Sequence, residues 1–119
     1  DVFDYLRRAR EAGDTYDLII LDPPKFASSH YHVDRAARAY KDINLNGLRL
    51  LRAGGQLLTF SCSGAIDTDL FQKIVAGAVI DSRRQAWALS RFGAGVDHPL
   101  LMTFPEGEYL KGLHLKLCD

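Results

Sequence analysis

The chain has 119 residues, 47% of them hydrophobic and 25% charged, the length and composition of one globular domain with a real core. Fifteen Lys and Arg balance fifteen Asp and Glu, which removes any bulk electrostatic argument for a nucleic-acid or membrane partner. No apolar run approaches the ~20 residues that span a bilayer, and the charged, helix-patterned start DVFDYLRRAR is unlike a signal peptide. Two cysteines without a secretory feature imply reduced thiols in a cytoplasmic protein. A start at Asp1 instead of a methionine leads us to expect part of a longer chain.

In chain order, Val2, Phe3, Leu6 and Ala9 share one helical face over residues 2–12, with Gly13 as the stop. YDLIILD, residues 16–22, is a nearly continuous apolar run that predicts a buried parallel strand. The two prolines after Asp22 cannot continue a ladder and open a loop. Val33, Ala36, Ala37, Tyr40, Ile43, Leu48 and Leu51 then recur at helical spacing, predicting an amphipathic helix through residue 52. Asn44, Asn46 and Gly47 weaken that helix, and Gly54-Gly55 ends it before a strand over 56–61. Asp67 is placed to cap a third helix whose buried stripe is Leu70, Phe71, Ile74, Val75 and Ala78. Residues 85–92 and 113–118 read as two more strands, with an irregular segment over 93–111 between them. The resulting order, α-β-α-β-α-β-β, predicts an α/β sheet that is parallel except for its last strand, because no helix separates the final two. We see one domain, 1–119, without repeats or linkers.

Three stretches carry chemistry. LDPPKFA, residues 21–27, sets the carboxylate of Asp22 at the end of an apolar strand and then stiffens the backbone with Pro23 and Pro24. Open α/β sheets bind ligands at that edge, which favours a site over a plain strand end followed by a turn. QLLTFSCSG, residues 56–64, delivers Cys62 to the end of the next strand, between Ser61 and Ser63 and before Gly64. Two readings stand side by side for this residue: a small inert hydrophobe, or a thiolate favoured by hydroxyls and backbone N–H groups near a helix start. The segment 93–111, longer than a turn requires, holds Asp97, His98 and Glu106 as candidate acid/base groups or as loop caps.

Other chemistries find no support in the spacing. His30, His32, His98 and His114 with the two cysteines form no CxxC or HExxH arrangement, so no metal site is expected. SCSG is not a G-x-S-x-G elbow. Gly93-Ala94-Gly95 is followed by His98 where a third glycine would be needed, so no dinucleotide loop is present.

Taken together and in this order, DVFDYL, YDLIILDPPKFA, LLRAGGQLLTFSCSG, DHP and FPEGEYLKG make the chain resemble the C-terminal half of a class I S-adenosylmethionine-dependent methyltransferase. The resemblance is closest to the bacterial family that makes 5-methylcytosine in large-subunit ribosomal RNA, and it runs over essentially the whole chain. It implies a Rossmann-like sheet of which only the last four strands are present, three parallel and the final one antiparallel, with flanking helices. It also implies S-adenosylmethionine as cofactor and ribosomal RNA as substrate. Asp1 falls at the family's adenine-contacting acid. Asp22, Pro23 and Pro24 match the motif bordering cofactor and target base, and Cys62 matches the proposed nucleophile. Asp22 and Glu106 are the candidates for the base that takes the carbon-5 proton.

The glycine-rich cofactor loop, the first three strands and the N-terminal RNA-binding domain of that family have no counterpart in these residues. We therefore expect this chain to be inactive on its own. We also expect a homodimer, formed through the edge of strand 16–22 that those strands would otherwise cover. Two competing readings are an amino-methyltransferase using the Asp-Pro-Pro carbonyls, with Cys62 incidental, and a non-catalytic α/β interaction module.

Overall fold

A computed structural model describes residues 2–24, 32–93 and 110–119. In these stretches the chain forms α1 (Val2–Glu11), β1 (Tyr16–Leu21), α2 (Val33–Arg49), β2 (Leu51–Ser61), α3 (Thr68–Asp81), β3 (Ala86–Gly93) and β4 (Lys111–Leu117). The four strands make one sheet in the order β1-β2-β4-β3. β2 runs parallel to β1, while β4 runs antiparallel to both β2 and β3. Three strands thus share one direction, and the last strand in sequence is wedged between the second and third.

Each helix has a local cause. α1 buries Leu6 and Ala9 and stops at Gly13, whose φ of 77° is a left-handed value that glycine adopts without penalty. α2 runs continuously through Asn44 and Asn46, whose side-chain amides donate back to carbonyls one turn earlier, those of Tyr40 and Asp42. At the start of α3 the Asp67 carboxylate accepts from the Leu70 amide at 2.7 Å, a cap contributing about 1 kcal/mol.

Two boundaries differ from expectation. α2 ends at Arg49, and β2 begins at Leu51 instead of residue 56. The Gly54-Gly55 pair therefore lies inside the strand and does not end the helix. Gly54 has a φ of 74°, and the β1–β2 register shifts between Tyr16 and Leu18, so the pair kinks the strand as a bulge does. β4 likewise starts at Lys111, two positions ahead of the residue 113 expected. Most of the segment expected to be irregular, residues 94–109, lies outside the described residues.

Strand alternation divides the sheet into two unlike faces. Leu21, Leu57, Leu113, Leu115 and Leu117 join Ala36, Tyr40, Ile43, Phe71 and Val75 in one buried cluster, so all three helices cover that face. On the other, Ile20 (59% exposed), Leu18 (51%) and Trp87 (67%) stand open to solvent. The expectation of a buried strand over 16–22 is thus corrected for one of its faces. β1 is an edge strand whose second face has no layer over it among the described residues, although its sequence is patterned for burial.

Candidate functional site

The parallel register sets up the site. Leu21 pairs with Thr59, so Asp22 leaves β1 level with Phe60, and Cys62 leaves β2 just beyond. Two chemistry-bearing residues, 40 positions apart in sequence, thereby meet at the carboxyl edge of neighbouring strands, where open α/β sheets bind ligands. Asp22 is exposed, Pro23 is buried and Pro24 is exposed. The proline ring behind Asp22 anchors the strand end while its carboxylate faces outward.

Cys62 is a free thiol at the boundary between core and solvent. The residues flanking it are fully buried: Ser61 and Ser63 both have no exposed surface. The Ser61 hydroxyl accepts from the Ser63 amide at 3.2 Å, which folds the backbone tightly around Cys62. The Ser63 carbonyl then accepts twice, from the Ile66 amide at 3.2 Å and from the Lys111 ammonium at 2.9 Å. The loop from β2 to the Asp67 cap is therefore pinned at both ends.

Lys111 was not among the sequence candidates. It is only 3% exposed and stands opposite Ser61 on β4. Burial lowers its proton affinity, while the charges of Cys62 and Asp67 act in the other direction. A signal was available in the spacing: Lys111 is in phase with Leu113, Leu115 and Leu117, all of which face the core. A lysine on the buried face of a strand is rare unless something holds it.

Among the remaining candidates, Asp1, His30, Asp97, His98 and Glu106 lie outside the described residues. His114 bonds Gln56 at 2.7 Å, on the sheet face opposite the helices. Cys118 follows β4 and is exposed, and its amide donates to the Gln85 carbonyl at 2.9 Å. No group of three or more metal-ligating side chains gathers among the described residues. Nor is any described helix long and apolar enough to cross a membrane.

For an adenosyl cofactor the described residues offer one wall. Asp22 is an exposed carboxylate acceptor at the carboxyl edge, and the buried Pro23 gives that edge a rigid apolar footing. These features fit the side of such a group that faces β1 and β2.

No protein-family model matches the chain. It is 53% identical over 113 residues to the ribosomal RNA large subunit methyltransferase I of Shewanella frigidimarina, a match covering 95% of this chain and 28% of that protein. The enzyme of the same name from Erwinia tasmaniensis is 51% identical over 112 residues, with 94% and 28% covered. The chain thus spans a little over a quarter of the length of these relatives. Among solved structures, a methyltransferase-type protein complexed with SAH superimposes with a TM-score of 0.77 at 26% identity, covering 98% of this chain and 30% of its own. A methyltransferase homologue from Pyrococcus horikoshii, with a TM-score of 0.57 and 16% identity over 92% of this chain, shares the fold.

Proposed function

We infer that this chain, a class I S-adenosylmethionine-dependent methyltransferase segment by sequence and by fold, is the carboxyl-terminal part of a cytoplasmic catalytic domain that methylates carbon 5 of a cytosine in ribosomal RNA. The observation that carries this reading is the arrival of Cys62 and Asp22 at the same carboxyl edge, on adjacent parallel strands.

Carbon 5 of cytosine is a poor nucleophile, which is why the reaction needs a thiol. Bound S-adenosylmethionine supplies an electrophilic methyl group on a sulfonium. Cys62 adds through its sulfur to carbon 6 of the base, pushing electron density onto carbon 5. Once carbon 5 carries the methyl group, a base removes its proton, the carbon–sulfur bond breaks and the thiolate leaves. In this reading Asp22 orients the base or takes that proton, with Glu106 as the other candidate. Asp22, Pro23 and Pro24 would form the β1 side of the cofactor site, joined by Asp1.

The part of the relatives that this chain does not span would supply the rest of the pocket and the RNA-binding surface. We therefore hold that the 119-residue chain neither binds the cofactor tightly nor turns over by itself. The free edge of β1, carrying exposed Leu18 and Ile20, supports pairing with a second copy when the chain is alone.

The test uses the polypeptide extended to the length of its relatives. Wild type is expected to methylate large-subunit ribosomal RNA and to form a covalent complex with RNA containing 5-fluorocytosine. Cys62→Ala is expected to lose both. Retained methylation in Cys62→Ala would instead point to amino-group chemistry at the Asp-Pro-Pro motif and refute the cysteine adduct.

A further inference from the structure

Lys111 is the one buried charged side chain of the described residues, and the proposed chemistry leaves it without a task. An ammonium withdrawn from water is costly, and natural proteins keep one where a specific acceptor or an opposite charge holds it. Among the described residues Lys111 has no carboxylate at ion-pair distance. Its acceptor is the carbonyl of Ser63, the residue directly after Cys62, at 2.9 Å. A hydrogen bond to one neutral carbonyl is a modest return for burying a full charge. The stem also lies in the row of Leu113, Leu115 and Leu117, where a leucine or methionine would pack at lower cost.

The surroundings indicate what the charge serves. Lys111 faces Ser61 across the β2–β4 ladder, so its stem runs beside the last strand residue before Cys62 and its head reaches the first residue after it. The described charges that act on it are those of Cys62 and Asp67.

We propose that Lys111 is a positioning residue for Cys62, anchoring the Ser63 carbonyl so that the 61–64 turn presents the thiol at the sheet edge and placing a buried positive charge beside it in its reactive, ionised form. The proposal rests on the reading of Cys62 as the nucleophile, but its test does not depend on methylation.

That test is alkylation of the 119-residue chain by iodoacetamide, followed at Cys62 by peptide mass spectrometry with exposed Cys118 as internal reference. The quantity read is the ratio of the Cys62 rate near neutral pH to its rate at alkaline pH, where the thiol is fully ionised. Accessibility cancels in this ratio, so a merely loosened loop does not move it. Lys111→Gln, which keeps a donor for the Ser63 carbonyl but carries no charge, is expected to lower the ratio several-fold. Lys111→Met lowers it at least as far, and Lys111→Arg holds it near wild type. Lys111→Gln carries the test should the methionine variant fail to fold. An unchanged ratio in the neutral variant, or an equal fall in Lys111→Arg, overturns the proposal. An altered ratio together with an absent 5-fluorocytosine adduct in the extended polypeptide would keep Lys111 in its role while removing the nucleophile reading. An unchanged ratio with the adduct present would do the reverse.

Discussion

The ring of Phe60 lies over Gly112 on the neighbouring strand, so close that a Cβ on the glycine would stand 2.4 Å from the ring. The two residues are direct partners across the β2–β4 ladder, and the ring stacks on Phe92 of β3 with centroids 6.0 Å apart. Glycine at 112 thus lets one aromatic side chain bridge from β2 across β4 to β3, two residues before Cys62. Gly112→Ala must push the ring aside, and the backbone carbonyl of Thr59, 3.2 Å from the same position, limits how far the strand can give. Overpacking of this kind costs about 1–3 kcal/mol, to be read as a lower midpoint in urea unfolding. A midpoint equal to wild type would mean that the ring rotates away freely.

Arg84 ties the chain's end to its middle. Its guanidinium donates to the carbonyls of Leu48 and Leu51 and pairs with the Asp119 carboxylate at 2.8 Å. Arg84→Ala leaves two carbonyls without their charged donor and should cost about 2–3 kcal/mol. Asp119→Asn removes only the more exposed half of the cluster and should cost less than about 1 kcal/mol. The Arg84 hydrogen bonds hold the Asp119 carboxyl below the usual carboxylate range. Its contribution is therefore complete above the ordinary carboxylate value and is lost as pH falls through the lowered one. Acid titrations of wild type and Asp119→Asn should converge at low pH; parallel curves would show that the pair adds nothing.

Lys111 should leave a mark on stability at alkaline pH. Burial holds its ammonium below the usual lysine range, so the unfolded chain keeps this proton at pH values where the folded chain has released it. Stability tied to Lys111 then rises as pH climbs from the lowered value toward the ordinary one. Subtracting the unfolding free energy of Lys111→Met from that of wild type, across the alkaline range up to the ordinary lysine value of about 10.4, should give a difference that grows in favour of wild type. A flat difference would mean that the residue's proton affinity is the same folded and unfolded.

The uncovered side of β1 predicts association. Leu18 and Ile20 are more than half exposed on a strand whose outer ladder is unpaired among the described residues, a combination that templates pairing with another chain. Sedimentation should show the 119-residue chain self-associating as concentration rises, and Ile20→Lys should shift it toward the monomer. A monomer over the whole range would refute the pairing.

The element order, the Asp67 cap and the Gly13 stop followed from sequence because each depends on residues near one another in the chain, and the antiparallel last strand followed from the lack of a helix between the final two strands. The apolar alternation of 56–61 was enough to place Cys62 at a strand end, and Asp-Pro-Pro was enough to end the strand before it. Three matters needed the folded chain. Gly54-Gly55 reads as a helix stop, yet it is absorbed into β2 as a bulge, because pairing with β1 on either side of it, at Leu51 and from Gln56 onward, outweighs the local preference of glycine for turns. YDLIIL reads as a buried strand, yet one face stands open, since local pattern records what a strand is suited to and not which layer is present to cover it. The arrival of Asp22 and Cys62 at one sheet edge, with Lys111 opposite Ser61, is decided by tertiary structure. Register between β1, β2 and β4 decides it, and register is a property of pairs of strands that no single stretch of sequence contains.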